Sequence, residues 1–140
     1  MSEQNVELAR RAVETYNEHD TEAYIALCDP KIELQTTMGV GGAIYHGHDG
    51  MRRYFGDLED AWGKEFRVEP EAYFDLGEQT LLFYVARGRG SQSGVEVTRP
   101  RALIQGWRDG LLVYVKVYVD RAEALSELGI SEDALEPIAP

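Results

Sequence analysis

The stretch AIYHGHDGMRRYF, residues 43–55, places His46, His48 and Asp49 within four positions. Two imidazoles and a carboxylate are the donor types of a zinc site, and they are also general acids and bases. Zinc takes three or four ligands. H-x-H-D supplies at most three from one short turn, the remaining histidine, His19, lies far away in sequence, and no second cluster follows. The metal reading is therefore the weakest, and neither a metal nor a cofactor is expected. An imidazole titrates near neutrality, so a histidine here can serve as acid or base. His46 is the better candidate because it lies on the extended approach to a helix, whereas Asp49 falls in the helix's first turn and suits its dipole.

The elements that must position these residues follow from periodicity. Val6, Ala9, Val13 and Tyr16 recur at helical spacing and predict an amphipathic helix from about Glu3 to Glu18. Asp20 can cap a second, short helix carrying Tyr24, Leu27 and Cys28, which Asp29-Pro30 should stop. KIELQ alternates and predicts a strand, with Ile32 and Leu34 on the apolar face and Glu33 outside. After a glycine-rich loop, Met51, Tyr54, Phe55, Leu58 and Trp62 predict a third helix. The period then changes to two. FRVEPEAYFDL, TLLFYVARGRG, VEVTRPRALIQGW and LLVYVKVYV predict four strands, joined by turns short enough to make neighbours antiparallel. Pro70 and Pro100 should mark bulges or edges. Asp120 with Glu123 forms a capping-box pattern for a last helix that Gly129 ends, and residues 136–140 form a tail.

This order gives an α+β domain over residues 1–140: a curved antiparallel sheet whose concave face is closed by three N-terminal helices. Such a cone has an apolar interior and one mouth, where small-molecule sites form. The net charge of −11 argues against nucleic acid and anionic membrane as partners. Arginines gather in VARGRGSQSGVEVTRPRA, but Gly and Ser interleave them, which favours a solvated hairpin. The single Cys28 cannot form an internal disulfide and reads as a small buried hydrophobe. The polar start and the absence of a 20-residue apolar run lead to the expectation of a cytoplasmic, soluble protein.

The segments ELARRAVETYNEHDTEAYIALCDPKIE, YHGHDGMRRYFGDLEDAW, RGRGSQSGVEV and WRDGLLVYVKVYVDRAEALSELG resemble the SnoaL-like branch of the nuclear-transport-factor-2-like, or ketosteroid-isomerase-like, superfamily. The resemblance covers nearly the whole chain and implies the cone fold. It also implies positions for chemistry, and most of them are empty of it. The isomerase base falls near Leu34 or Gln35, its oxyanion-hole tyrosine near Ala12, and its oxyanion-hole aspartic acid near Leu103. The last-strand aspartate of the cyclases and epoxide hydrolases falls at Val117, and Asp120 is out of register with it. The hydrolase arginine is matched by Arg87, but Arg89 stands where its aspartate partner belongs.

The resemblance further implies that Tyr16, Met38, Tyr54, Phe55 and Trp62 contribute to the pocket wall, although core packing alone also explains such spacing. With Leu103 facing inward, Gln105 and Trp107 share its side of the strand, and a glutamine in an apolar pocket needs a partner. Val113, Val115, Val117 and Val119 would line the cone. Tyr114, Lys116 and Tyr118 would form an outer face suited to a sheet-to-sheet homodimer. The expectation is a small-molecule-binding protein for an apolar, ring-containing ligand of polycyclic or terpenoid type. If it is an enzyme, it is an isomerase, cyclase, hydratase or hydrolase working by positioning through tyrosines, His46, Arg87 and Gln105. The alternative is a non-catalytic dimeric module with a packed or vestigial pocket.

Overall fold

The computed structural model describes residues 2–36, 43–89 and 96–140. Helices α1 (Ser2–Asn17) and α2 (Thr21–Ile25) lead into strands β1 (Cys28–Thr36) and β2 (Ala43–His46), then helix α3 (Gly47–Trp62). Strands β3 (Arg67–Asp75), β4 (Gln79–Arg89), β5 (Glu96–Arg108) and β6 (Leu111–Tyr118) follow, and α4 (Arg121–Leu128) closes the chain.

The six strands form one curved sheet in the order β2-β1-β6-β5-β4-β3. The consecutive pairs are antiparallel, but β1 lies parallel to β6. The sheet is therefore mixed, where the sequence predicted a wholly antiparallel one. Parallel pairing needs a long crossover, and everything from β2 to β5 serves as that crossover. Bulges between Cys28 and Glu33, Pro70 and Ala72, and Gly106 and Trp107 bend the sheet. Pro70 lies on the edge strand, and Pro100 lies beyond the last β5–β6 partner pair, Ala102 with Tyr118. Asp109 and Gly110 both take positive φ, 53° and 77°, the two-residue hairpin turn whose twist matches the strands it joins.

Two expectations at the start of the sheet change. The second helix stops at Ile25, so Cys28 opens β1, and Pro30 falls within that strand's bulged segment. Residues 43–46, read as an approach to α3, form an edge strand on β1.

The concave core contains Val6, Ala9, Ala12 and Val13 of α1, Met51 and Phe55 of α3, and the inward residues Ile32, Leu34, Leu82, Tyr84, Val115 and Val117. Asn17 ties α1 to β3 twice: its Nδ2 donates to the Val68 carbonyl and its Oδ1 accepts from the Val68 amide, both at 2.8 Å. The convex side has its own small core of Phe74, Leu81, Phe83, Ala102, Ile104 and Tyr118, covered by Ala124, Leu125 and Leu128 of α4. Asp120 caps that helix by accepting from the Ala122 amide at 2.9 Å. Lys116 pairs with Glu127 of α4 at 2.9 Å and Tyr118 is buried. Part of the outer face expected to be free for a second copy is thus occupied by the chain's own last helix.

Gly88 sits where β4 passes under the turn after α3. A Cβ there would lie 2.9 Å from Phe66 Cδ2 and 3.5 Å from Trp62 Cε3. Gly88→Ala should therefore destabilise the fold by about 1–3 kcal/mol, the range for overpacking. A urea titration would show this as a lower midpoint with unchanged slope.

Candidate functional site

The cone holds a narrow cavity of about 40 Å³. From the helices come Ala12, Val13, Tyr16, Tyr24 and Tyr54. From the sheet come Leu34, Val68, Tyr84, Leu103, Gln105, Val115 and Val117. Strand parity explains the second group, since alternate residues point inward. Leu103 and Gln105 share one side of β5, Val115 and Val117 one side of β6, and their cross-strand pairs coincide, Leu103 with Val117 and Gln105 with Val115.

None of these lining residues is a carboxylate, an imidazole, an amine or a thiol. The polar groups are four phenols and one primary amide. Tyr16 and Tyr54 hydroxyls hydrogen-bond at 3.0 Å, and either can donate. Burial pushes the Tyr54 phenol up to about 12 and holds Tyr16, Tyr24 and Tyr84 well above the ordinary tyrosine value. At neutral pH all four are protonated and none is a base. The rings of Tyr16, Tyr24 and Tyr54 pack at steep angles against Phe55. Tyr24 and Phe55 centroids lie 5.1 Å apart, Tyr54 and Phe55 5.3 Å, and Tyr16 and Phe55 5.5 Å.

Gln105 is fully buried and held by a relay. The Trp107 indole Nε1 donates to Thr80 Oγ1 at 2.9 Å, and Thr80 Oγ1 donates to Gln105 Oε1 at 3.1 Å. An indole N–H can only donate, so the threonine oxygen accepts from it and has its own hydrogen for the glutamine. That fixes the amide with its oxygen toward Thr80, and Gln105 stands in the cavity wall. The site is therefore a slot of apolar walls whose polar groups offer hydrogens.

Arg101 lies on the same side of β5, opposite Tyr84 and two residues from Leu103, next to the cavity lining rather than in it. Its Nε is, among the described residues, the one buried side-chain nitrogen or oxygen without a hydrogen-bond partner. Leaving a buried donor unsatisfied costs about 1–3 kcal/mol, more for a charged group.

The structure scatters the histidine cluster. His46 ends β2 opposite Glu33, on the outer face, with its side chain 70% exposed and its Nδ1 3.7 Å from Glu33 Oε1. It does not reach the cavity, because Tyr45 takes the inward position beside it and packs on Tyr54. His48 Nε2 lies 3.0 Å from the Cys28 carbonyl, and Asp49 pairs with Arg52 at 2.9 Å. These three side chains point to three different partners, and among the described residues no three His, Cys, Asp or Glu converge as a metal site.

Arg87 is also outside. Leu82, Tyr84 and Ala86 face inward, so Arg87 faces outward and pairs with Glu69 at 2.9 Å. Gln35 follows the inward Leu34 and so turns away, donating to Glu33 at 2.9 Å. Phe55 stands behind the tyrosines, Trp62 packs on Phe66, and Trp107 supports Gln105 rather than lining the cavity. Met38 lies outside the described residues. Tyr16, Tyr54, Leu103, Gln105 and Val117 are brought together on the cavity wall. Ala12 and Leu34, the positions where the resemblance put two of the missing isomerase groups, line it too. Val113 lies by a polar cleft at the Asp109-Gly110 end, and Val119 is exposed. Reading the sequence missed Tyr24, Thr80, Tyr84 and Arg101. The signal for the last three was parity, since Thr80 and Tyr84 alternate with Leu82 and Arg101 with Leu103.

Comparison with known proteins agrees with this fold. A nuclear-transport-factor-2-like protein of unknown function from Burkholderia pseudomallei superposes with a TM-score of 0.77 at 21% identity, covering 90% of this chain and 97% of its own. TerC, co-crystallised with polyporic acid, gives 0.76 at 21% identity over 89% of this chain and 97% of its own. A protein from a Jannaschia species, described as a SnoaL-like polyketide cyclase, gives 0.75 at 15% identity over 90% and 92%. At these identities the likeness establishes the architecture alone. No curated protein matches the chain significantly. The SnoaL-like domain family matches residues 9–115, most of the chain and nearly all of the cavity wall, and the protein belongs to that family.

Proposed function

We propose that the cone holds a slender ring compound carrying a carbonyl, phenol or enol oxygen, and that the protein acts on it only through hydrogen-bond donors. One observation carries this reading: Gln105, its amide oxygen held by the relay through Thr80 and Trp107, stands in the wall of an otherwise apolar slot. Proton abstraction by the protein has no agent among the lining residues, because every ionisable group there is a phenol that stays neutral. What donors can do is stabilise charge on an oxygen that ionises by its own acidity. The site thus suits binding, or cyclisation or isomerisation of a substrate acidic enough to enolise unaided. Two of the structural relatives fit that class by description: one was crystallised with polyporic acid and one is described as a polyketide cyclase. The narrowness of the slot favours a single ring over a polycycle. It also supports a second reading, a non-catalytic module whose cone is simply packed.

Methyl 4-hydroxycinnamate, a slender neutral ring with oxygen at both ends, separates the two. Calorimetric titration should show saturable binding to the wild type and at least about tenfold weaker binding to Gln105→Leu, the loss of one hydrogen bond to the ligand. Equal affinity for both proteins removes the donor role, and no binding to the wild type favours the packed module.

A further inference from the structure

Resting on that reading of the cone, we propose that Arg101 recognises a carboxylate, so that the ligand is a ring acid rather than a neutral ring. The argument starts from what Arg101 lacks. Several arginines of this acidic protein find carboxylates, Arg52 with Glu22, Arg87 with Glu69 and Arg121 with Glu71. Among the described residues no carboxylate pairs with Arg101, and its Nε is buried without an acceptor. A guanidinium is a fixed fork of donors that matches a carboxylate with two parallel hydrogen bonds. Arg101 is half-buried, and its Nε donor is left without an acceptor on the inner side of the sheet.

Its position makes it an end-group reader. Arg101 shares the inward side of β5 with Leu103 and Gln105, and stands across from Tyr84, which lines the cavity. Arg101 and Gln105 are four residues apart along one strand, about 13 Å between Cα atoms at the usual rise. With both side chains reaching inward, a one-ring acid with its second oxygen at the far end spans the remaining gap. The carboxylate would sit at Arg101, the ring between Leu103 and Val117, and the distal oxygen at the Gln105 amide. The lining holds no anionic side chain to repel such a ligand.

The test compares 4-hydroxycinnamate with its methyl ester on wild type, Arg101→Met and Arg101→Lys. Wild type should bind the acid at least about tenfold tighter than the ester, with the preference shrinking as salt rises. Arg101→Met, which keeps the apolar stem, should bind the ester as wild type does and lose the preference for the acid. Arg101→Lys should retain part of it. An acid preference that survives in Arg101→Met overturns the proposal. If wild type binds the ester and shows no preference for the acid, Arg101 recognition fails and the donor slot stands. If wild type binds neither compound, both fail. Thermal melting without ligand gives an independent readout. Removing a half-buried guanidinium whose Nε has no acceptor should leave the melting temperature unchanged or raise it, and a marked fall would assign Arg101 a structural role and overturn the proposal.

Discussion

Thr80→Val is expected to lower the unfolding free energy by about 2–6 kcal/mol, a large part of a small domain's stability. The substitution keeps shape and volume but removes one hydroxyl. That hydroxyl is the sole link between Trp107 Nε1 and Gln105 Oε1, and all three residues are buried. Two polar groups would be stranded at once, each costing about 1–3 kcal/mol. Thr80→Ser restores the hydroxyl and should recover most of the loss, the remainder being one buried methyl. Urea unfolding of the three proteins checks this. If Thr80→Val falls within about 1 kcal/mol of wild type, the estimate from two stranded groups is wrong and the relay does not fix the amide.

The second large effect is alkaline. The phenols of Tyr16, Tyr24, Tyr54 and Tyr84 are held above their ordinary value by burial, Tyr54 up to about 12 from 10.0. Burial likewise raises the Cys28 thiol from 9.0 to about 12. The unfolded chain therefore releases these protons at lower pH than the folded one. Between the two values the unfolded state binds fewer protons, so stability falls as pH rises. The fall begins near pH 9 with Cys28, steepens past pH 10, and for Tyr54 alone reaches about 2 kcal/mol by pH 12. Phenolate absorbance should rise late and together with the loss of circular dichroism. Titration of all the tyrosines near pH 10 with the fold intact would show that the cone is open to water.

The helices and hairpins were legible because each writes its period in local sequence. Val6, Ala9 and Val13 in α1, and Met51 and Phe55 in α3, are buried as their spacing requires. The Asp109-Gly110 turn was legible because its positive φ values favour those residue types. Strand β2 was not, since four residues of alternating exposure beside a glycine-rich loop carry little signal. Nor was the parallel β1–β6 pairing, which joins segments about eighty residues apart.

Of the site, parity read well where one inward residue was right. Placing Leu103 inward also places Gln105, and the resemblance supplies Val117, which the register sets opposite Leu103. Parity applied to Leu34 excludes Gln35, and applied to Leu82 it excludes Arg87 and brings in Thr80 and Tyr84. The chemistry of His46 is legible from its type but its direction is not, since its pairing opposite Glu33 depends on a strand that the sequence conceals. Thr80 is twenty-five residues from Gln105, so no local pattern announces that their side chains meet.

The most direct measurement is the side-chain amide resonance of Gln105, assigned through its loss in Gln105→Leu, followed by NMR while methyl 4-hydroxycinnamate is added. If the cone is a donor slot, the Nε2 protons shift downfield and saturate with the ligand's own binding curve, along with residues of the wall such as Leu103 and Val117. If the ligand instead perturbs only residues of the polar cleft around Arg108 and Asp109, or leaves the Gln105 amide unmoved at saturation, the account is contradicted.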